Sequence, residues 1–125
     1  MSLKVKNDYT MKLSVILLTV VLLSAGCAKT NLNPEGDSDC IVAKIEAYKA
    51  SKTPCESGKN IYRYDFQGKY VYVFNPGNCG ADMMSDVYDD QCNLICGLGG
   101  IAGNTICNNE EFSTNATNEI LIWEN

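Results

Sequence analysis

A chain of 125 residues has room for one domain, and its 15 Asp and Glu against 10 Lys and Arg give a formal charge of −5. Such a surface repels phosphate backbones, so nucleic acid is excluded as an expected partner. The chain contains no histidine, which removes the commonest general base and the commonest metal ligand together.

In chain order, the first element is a targeting segment. Lys12 supplies a short positive region, Leu13 to Leu23 form an apolar core broken only by Ser14 and Thr19, and the small residues Ser24-Ala25-Gly26 lead into Cys27. That layout predicts a signal peptide over residues 1–26, with residues 1–10 upstream of a second start at Met11. The apolar run falls short of the ~20 residues that a membrane-spanning helix needs. A cysteine directly after small residues resembles the lipobox of bacterial lipoproteins, which implies lipidation of Cys27 and removal of the peptide before it. The usual pattern has leucine three residues before the cysteine; here Ser24 stands there and Leu23 one earlier. Several buried acyl methylenes at roughly 0.8 kcal/mol each would hold a soluble domain stably at a membrane surface. From Cys27 onward, seven Lys and Arg face fourteen Asp and Glu, a net of −7.

Residues 27–37 are polar, contain Pro34 and Gly36 and read as a lipid-anchored tether. Residues 38–125 read as the folded domain. Its first element is a helix, with Ser38 or Asp39 as cap and Ile41, Ile45 and Tyr48 as one apolar stripe. Pro54 and Gly58 end that region. Ile61 to Phe66 and Lys69 to Phe74 then flank Gln67-Gly68, which predicts a hairpin that sets Tyr64 against Val71, Tyr62 against Val73, Ile61 against Phe74 and Arg63 against Tyr72. A second hairpin joins Val87-Tyr88 to Leu94-Ile95 through a polar turn, and a glycine loop follows from Gly97 to Asn104. The ending "NEILIWEN" reads as a strand with Ile120 and Ile122 on one face and Leu121 and Trp123 on the other. The expected fold is α+β: a small disulfide-stapled antiparallel sheet with one N-terminal helix.

With Cys27 assigned to lipid, six cysteines remain: Cys40, Cys55, Cys79, Cys92, Cys96 and Cys107. An even number in a small exported domain reads as a disulfide framework. Three bridges at roughly 2–4 kcal/mol each rival the entire net stability of such a domain. Zinc would need an all-cysteine site, such as Cys79, Cys92, Cys96 and Cys107, and thiolates in an oxidising compartment are lost to disulfides. Redox catalysis wants Cys-x-x-Cys at a helix N-terminus, and Cys92 to Cys96 is one residue too long. In a strand, those two cysteines lie too far apart for a direct bond, at ~3.3 Å per residue. Among fifteen connectivities, the favoured pair is Cys96 with Cys107, closing the glycine loop.

Four further features invite a functional reading. The glycine loop lacks the following helix and lysine of a phosphate cradle, so positive-φ turn geometry is its expected role. Asp82, Asp86, Asp89 and Asp90 cluster near the second hairpin without the spacing of a calcium loop, and read as a solvated turn. Tyr62, Tyr64, Tyr70 and Tyr72 are either core and cross-strand pairs or a platform for a sugar ring or partner protein. Asn115-Ala116-Thr117 has the form of a glycosylation acceptor, which a bacterial lipoprotein does not normally use. No nucleophile has a base at a suggestive spacing.

The stretch "GKYVYVFNPGNCGADMMSDVYDDQCNLICGLGGIAG" and the ending "LIWEN" resemble a family of small, uncharacterised bacterial lipoproteins carrying a domain of unknown function. The resemblance spans roughly Cys40 to Trp123. It rests on the Val-Tyr hairpin, the Tyr-Asp turn before Asn93-Leu94-Ile95-Cys96, the Gly-Gly that follows and the terminal Leu-Ile-Trp. The family pattern often has two adjacent cysteines where this chain has Cys79-Gly80. It often has acidic glycine loops where this chain reads Leu98-Gly99-Gly100 and Gly103-Asn104-Thr105. The resemblance implies no activity. The expected function is a membrane-anchored envelope lipoprotein with a non-enzymatic binding or structural domain and no cofactor. Its expected location is the bacterial cell envelope, on the periplasmic or outer face of the outer membrane. Its expected partners are the membrane, through the lipid, and a protein or glycan ligand. The alternative is a protease-inhibitor-like module presenting the loop from Gly97 to Cys107.

Overall fold

The computed structural model describes residues 36–52, 55, 58–80 and 82–125; the signal segment, Cys27 and most of the tether lie outside the described residues. The elements in order are α1 (Asp39–Ala50), β1 (Asn60–Phe66), β2 (Lys69–Asn75), β3 (Met84–Asp89), β4 (Leu94–Gly99), β5 (Ile106–Cys107), β6 (Glu110–Glu111), α2 (Phe112–Asn115) and β7 (Thr117–Glu124). Five strands form one antiparallel sheet in the order β4-β3-β2-β1-β7, and β5 and β6 pair separately. The fold is α+β and dominated by the sheet, stapled by Cys40–Cys92, Cys55–Cys79 and Cys96–Cys107. The last pair is the one favoured on the glycine-loop argument, and Cys92 and Cys96 do not join each other.

Helix α1 begins where Ser38 turns its hydroxyl to accept from the Ile41 amide at 3.3 Å. The β1–β2 hairpin has the register that a two-residue turn dictates, with Tyr62 opposite Val73 and Tyr64 opposite Val71. Gln67 and Gly68 both take positive φ, 50° and 74°, the mirror-image turn whose twist matches the flanking strands. One face of the sheet meets α1 through Ile41, Ile45, Ile61, Tyr72, Phe74 and Ile122. The opposite face is closed by Phe66, Val71, Val73, Val87, Cys107 and Phe112. The second layer is thus supplied by the short β5–β6 ladder and the single turn of α2, which a helix-plus-five-strands reading does not contain.

Three expectations are corrected. In β7, Ile61 faces Trp123 while Tyr62 faces Leu121, so Ile122 is a bulge residue and the alternation breaks. Ile122 is buried in the α1-side core and Trp123 packs against the same cluster, whereas Ile120 is exposed. A second irregularity lies between Ile120 and Thr117, where Asn118 takes φ 54°. The glycine loop also begins later than its composition implied: Gly97 to Gly99 belong to β4, and only residues 100–103 form the turn. Asp37, read as the end of the tether, is integral to the domain. Its carboxylate is almost fully buried, accepts from Arg63 Nη1 at 3.3 Å, and accepts from the Tyr72 hydroxyl.

Candidate functional site

The acidic stretch between β3 and β4 is a turn device. Asp89 accepts from the amides of Gln91 and Asn93 and from Asn93 Nδ2 at 2.8–3.0 Å. Burial pushes its carboxyl upward, but these hydrogen bonds outweigh it and leave the pKa lowered. Among the described residues no three Asp, Glu or Cys are grouped so as to hold a metal ion.

The four tyrosines do not make one platform, because period-two geometry sends them to both faces of the sheet. Tyr72 is fully buried against α1. Tyr64 lies on the other face, with its ring 5.3 Å from Phe112 and its hydroxyl donating to Glu119 at 2.7 Å. Tyr62 is beside it at 6.3 Å. Tyr70 is exposed and stacks under the Arg63 guanidinium at 4.6 Å. The core-and-pair reading holds for Tyr72 and Tyr64.

The glycine turn projects Ile101, which is 83% exposed. It is braced on both sides: Gly99 and Asn104 exchange backbone hydrogen bonds at 2.7 and 2.9 Å, and Asn104 Nδ2 donates to the Gly97 and Ile106 carbonyls. Gly99, Gly100 and Gly103 all take positive φ, which glycine adopts without a Cβ clash. The Gly99 amide is therefore committed within the loop, an arrangement that supplies a rigid turn rather than an anion cradle.

Sequence reading missed a cleft between the C-terminal half of α1 and strands β2 and β3. Lys44, Ala47, Tyr48 and Ser51 line it from the helix, and Phe74, Asp86 and Tyr88 from the sheet, around about 230 Å³. The rings of Tyr48 and Tyr88 stand edge-to-face with Phe74, at 5.1 and 5.4 Å and within a few degrees of perpendicular. The Lys44 ammonium sits 3.9 Å from the centroid of the Tyr88 ring. Tyr88 donates to Asp86 Oδ2 at 3.4 Å. The Tyr48 hydroxyl is buried with no hydrogen-bond partner among the described residues. Burial first, and then the charge of Asp86, push that hydroxyl up to about 12 and raise Tyr88 in the same order. The helix positions were visible as a stripe at Tyr48, but nothing in the spacing of Lys44, Phe74, Asp86 and Tyr88 announces that they converge.

A second lysine shows what a structural role looks like beside this one. Lys59 is 2% exposed, and its ammonium donates to the Tyr48 and Ser51 carbonyls and to Ser51 Oγ at 3.0–3.1 Å. It caps the C-terminus of α1, where free carbonyls and the negative end of the helix dipole favour a cation.

No curated protein and no solved structure matches this chain. A family model matches residues 46–125, a span that takes in the whole five-stranded sheet and the cleft-lining Ala47 and Tyr48 of α1. The chain belongs to the family defined by the domain of unknown function DUF6970.

Proposed function

We propose that this protein is a lipid-anchored envelope protein of bacteria whose disulfide-stapled domain is a non-enzymatic binding module. The observation that carries the reading is the cysteine pairing. Three bridges use all six cysteines after Cys27, and Cys27 is left over directly behind the small residues Ser24-Ala25-Gly26. Bridges on this scale form and persist in oxidising compartments, which agrees with export, and an odd cysteine at the end of an apolar leader is where a lipid attaches. The binding half of the reading is supported by the aromatic cleft beside α1 and by the braced, exposed glycine turn.

The test is expression in a bacterial host fed an alkyne-tagged fatty acid. The wild-type chain takes up label and sediments with membranes, and its intact mass lacks residues 1–26. The variant Cys27→Ser does neither. Unlabelled wild-type protein, or a mass that retains the leader, ends the anchor reading.

The protease-inhibitor alternative has one observation in its favour, the exposure of Ile101 on a turn closed by Cys96–Cys107. Against it, residues 100–103 are a tight turn, whereas a strand-addition mode of peptide recognition needs an extended segment. A panel of serine and cysteine proteases at micromolar protein distinguishes the two, and inhibition lost in Ile101→Gly would favour the alternative.

A further inference from the structure

We infer that the cleft between α1 and β3 is a binding site for a primary alkylammonium group, the chemistry of a lysine side chain, with Lys44 as its resident internal occupant. The inference deepens the binding-module reading of the domain and is independent of the anchor at Cys27.

The walls identify the ligand. The Tyr88 ring turns a negative π-face toward the Lys44 ammonium that lines the cleft, and such a face attracts a cation and gives nothing to an anion. Asp86 adds a carboxylate at the same place, and among the described residues the one side-chain hydrogen bond it accepts is a long one, 3.4 Å, from the Tyr88 hydroxyl. An ammonium brings three N–H donors and requires acceptors. Asp86, which lines the cleft, offers carboxylate lone pairs. The Lys44 ammonium already stacked on Tyr88 at 3.9 Å demonstrates that a primary ammonium fits one wall of the site. That contact is the kind that breaks at little expense. A single cation–π contact is a weak tie, and the lysine stem is long enough to swing into solvent. Lys59 provides the contrast: its ammonium also lies over an aromatic ring, that of Tyr48 at 4.4 Å, but it has three oxygen acceptors besides. A cleft of about 230 Å³ suits an alkylammonium chain and is below the usual range of drug-sized ligand pockets, about 300–1,000 Å³.

The test uses the full chain in detergent and follows the Tyr48, Phe74 and Tyr88 ring resonances by NMR. The titrants are n-butylammonium, the tripeptide acetyl-Gly-Lys-Gly-amide, and n-butanol as the uncharged control, at constant ionic strength. Saturable shifts are expected with both amines, with affinity on the order of millimolar, and none with butanol. Lys44→Gln removes the internal competitor and keeps the stem, so affinity tightens about two- to fivefold. Asp86→Asn weakens it by about the same factor. Tighter binding of the tripeptide supports the cleft and assigns the source to a protein's lysine. Tighter binding of butylammonium supports it and assigns a free amine. The proposal is overturned by the absence of saturation in both wild type and Lys44→Gln, by equal shifts with butanol, or by an Asp86→Asn variant that binds unchanged. Retained amine binding in a chain that takes up no fatty acid ends only the anchor reading, and the converse ends only the cleft.

Discussion

On the α1 side of the sheet, the buried groups include charges: Lys59 capping the helix, and Arg63 held by Asp37. On the opposite side, the filling is apolar and covalent, with Phe66, Val71, Val73, Val87 and Phe112 packed around the Cys96–Cys107 bridge. The contrast follows from chain order. The second layer on the glycine-turn side is made by the residues that directly follow β4, so a bridge of sequence separation 11 and the local Asn104 hydrogen bonds keep it in place. Helix α1 precedes the sheet and brings Ile41, Ile45 and Tyr48 to the apolar core. Its attachment is directional and long-range: a bridge of sequence separation 52, Ser38 donating to the Asp90 carbonyl, and the Asp37 carboxylate reaching Arg63 and Tyr72. One face is held by proximity along the chain and the other by specific polar and covalent locks.

That difference can be broken at its strongest point first. Asp37→Ala strands the buried Arg63 guanidinium and the Tyr72 hydroxyl, and is expected to cost about 3–5 kcal/mol in urea unfolding. Adding Arg63→Met to it recovers a large part, because an apolar pair leaves no orphaned charge. Recovery of nothing would mean that Asp37 acts by some route other than its ion pair. The two bridges at the ends of the range rank next. By chain entropy, Cys40→Ala/Cys92→Ala should lose about 4 kcal/mol and Cys96→Ala/Cys107→Ala about 3 kcal/mol. The first variant should loosen α1 in hydrogen exchange and the second should loosen β5 and α2, each sparing the other face. Loosening of both faces by either variant contradicts the separation drawn here.

Lys59→Met keeps the length of the side chain and removes three hydrogen bonds from the end of α1. A loss of about 1–3 kcal/mol is expected, with amide exchange rising in the last turn of the helix. Alkaline titration sharpens the comparison without mutation. Burial first, and then the hydrogen bond and charge of Asp37, raise Tyr72, with Arg63 opposing; burial and Glu119 raise Tyr64; burial and Asp86 raise Tyr48 to about 12. In each case the folded protein holds a proton that the unfolded chain releases near pH 10. Stability is therefore intact below pH 10 and falls as pH rises through about 12, which a series of melting curves would read. The smallest effect is expected at Gly97→Ala. Its new Cβ would meet the end of the Met84 side chain at 2.6 Å, and that flexible tip can move. The cost is under about 1 kcal/mol, with no change in the β3–β4 register.

Much of this architecture is legible in the residues because it is set by neighbours along the chain. The β1–β2 register follows from Gln67-Gly68 and strict alternation, the start of α1 from Ser38, and the β3–β4 turn from its polar residues around Asp89. The bulge at Ile122 is not legible, because alternation in the sequence is intact and only pairing with Ile61 and Tyr62 makes the extra residue. The β5–β6 ladder and α2 are two to four residues long, too short for any periodicity to form.

By itself, the sequence determined the α+β class and the presence of a disulfide framework, since these depend on composition and on patterns within about ten residues. Tertiary structure alone decided which of the fifteen connectivities the cysteines take and that Asp37 belongs to the core. It also decided that Lys44, Tyr48, Phe74, Asp86 and Tyr88 meet in one cleft. Each of those is a contact between residues distant in the chain, and such contacts exist only once the sheet has fixed its strand order and α1 has been locked across it.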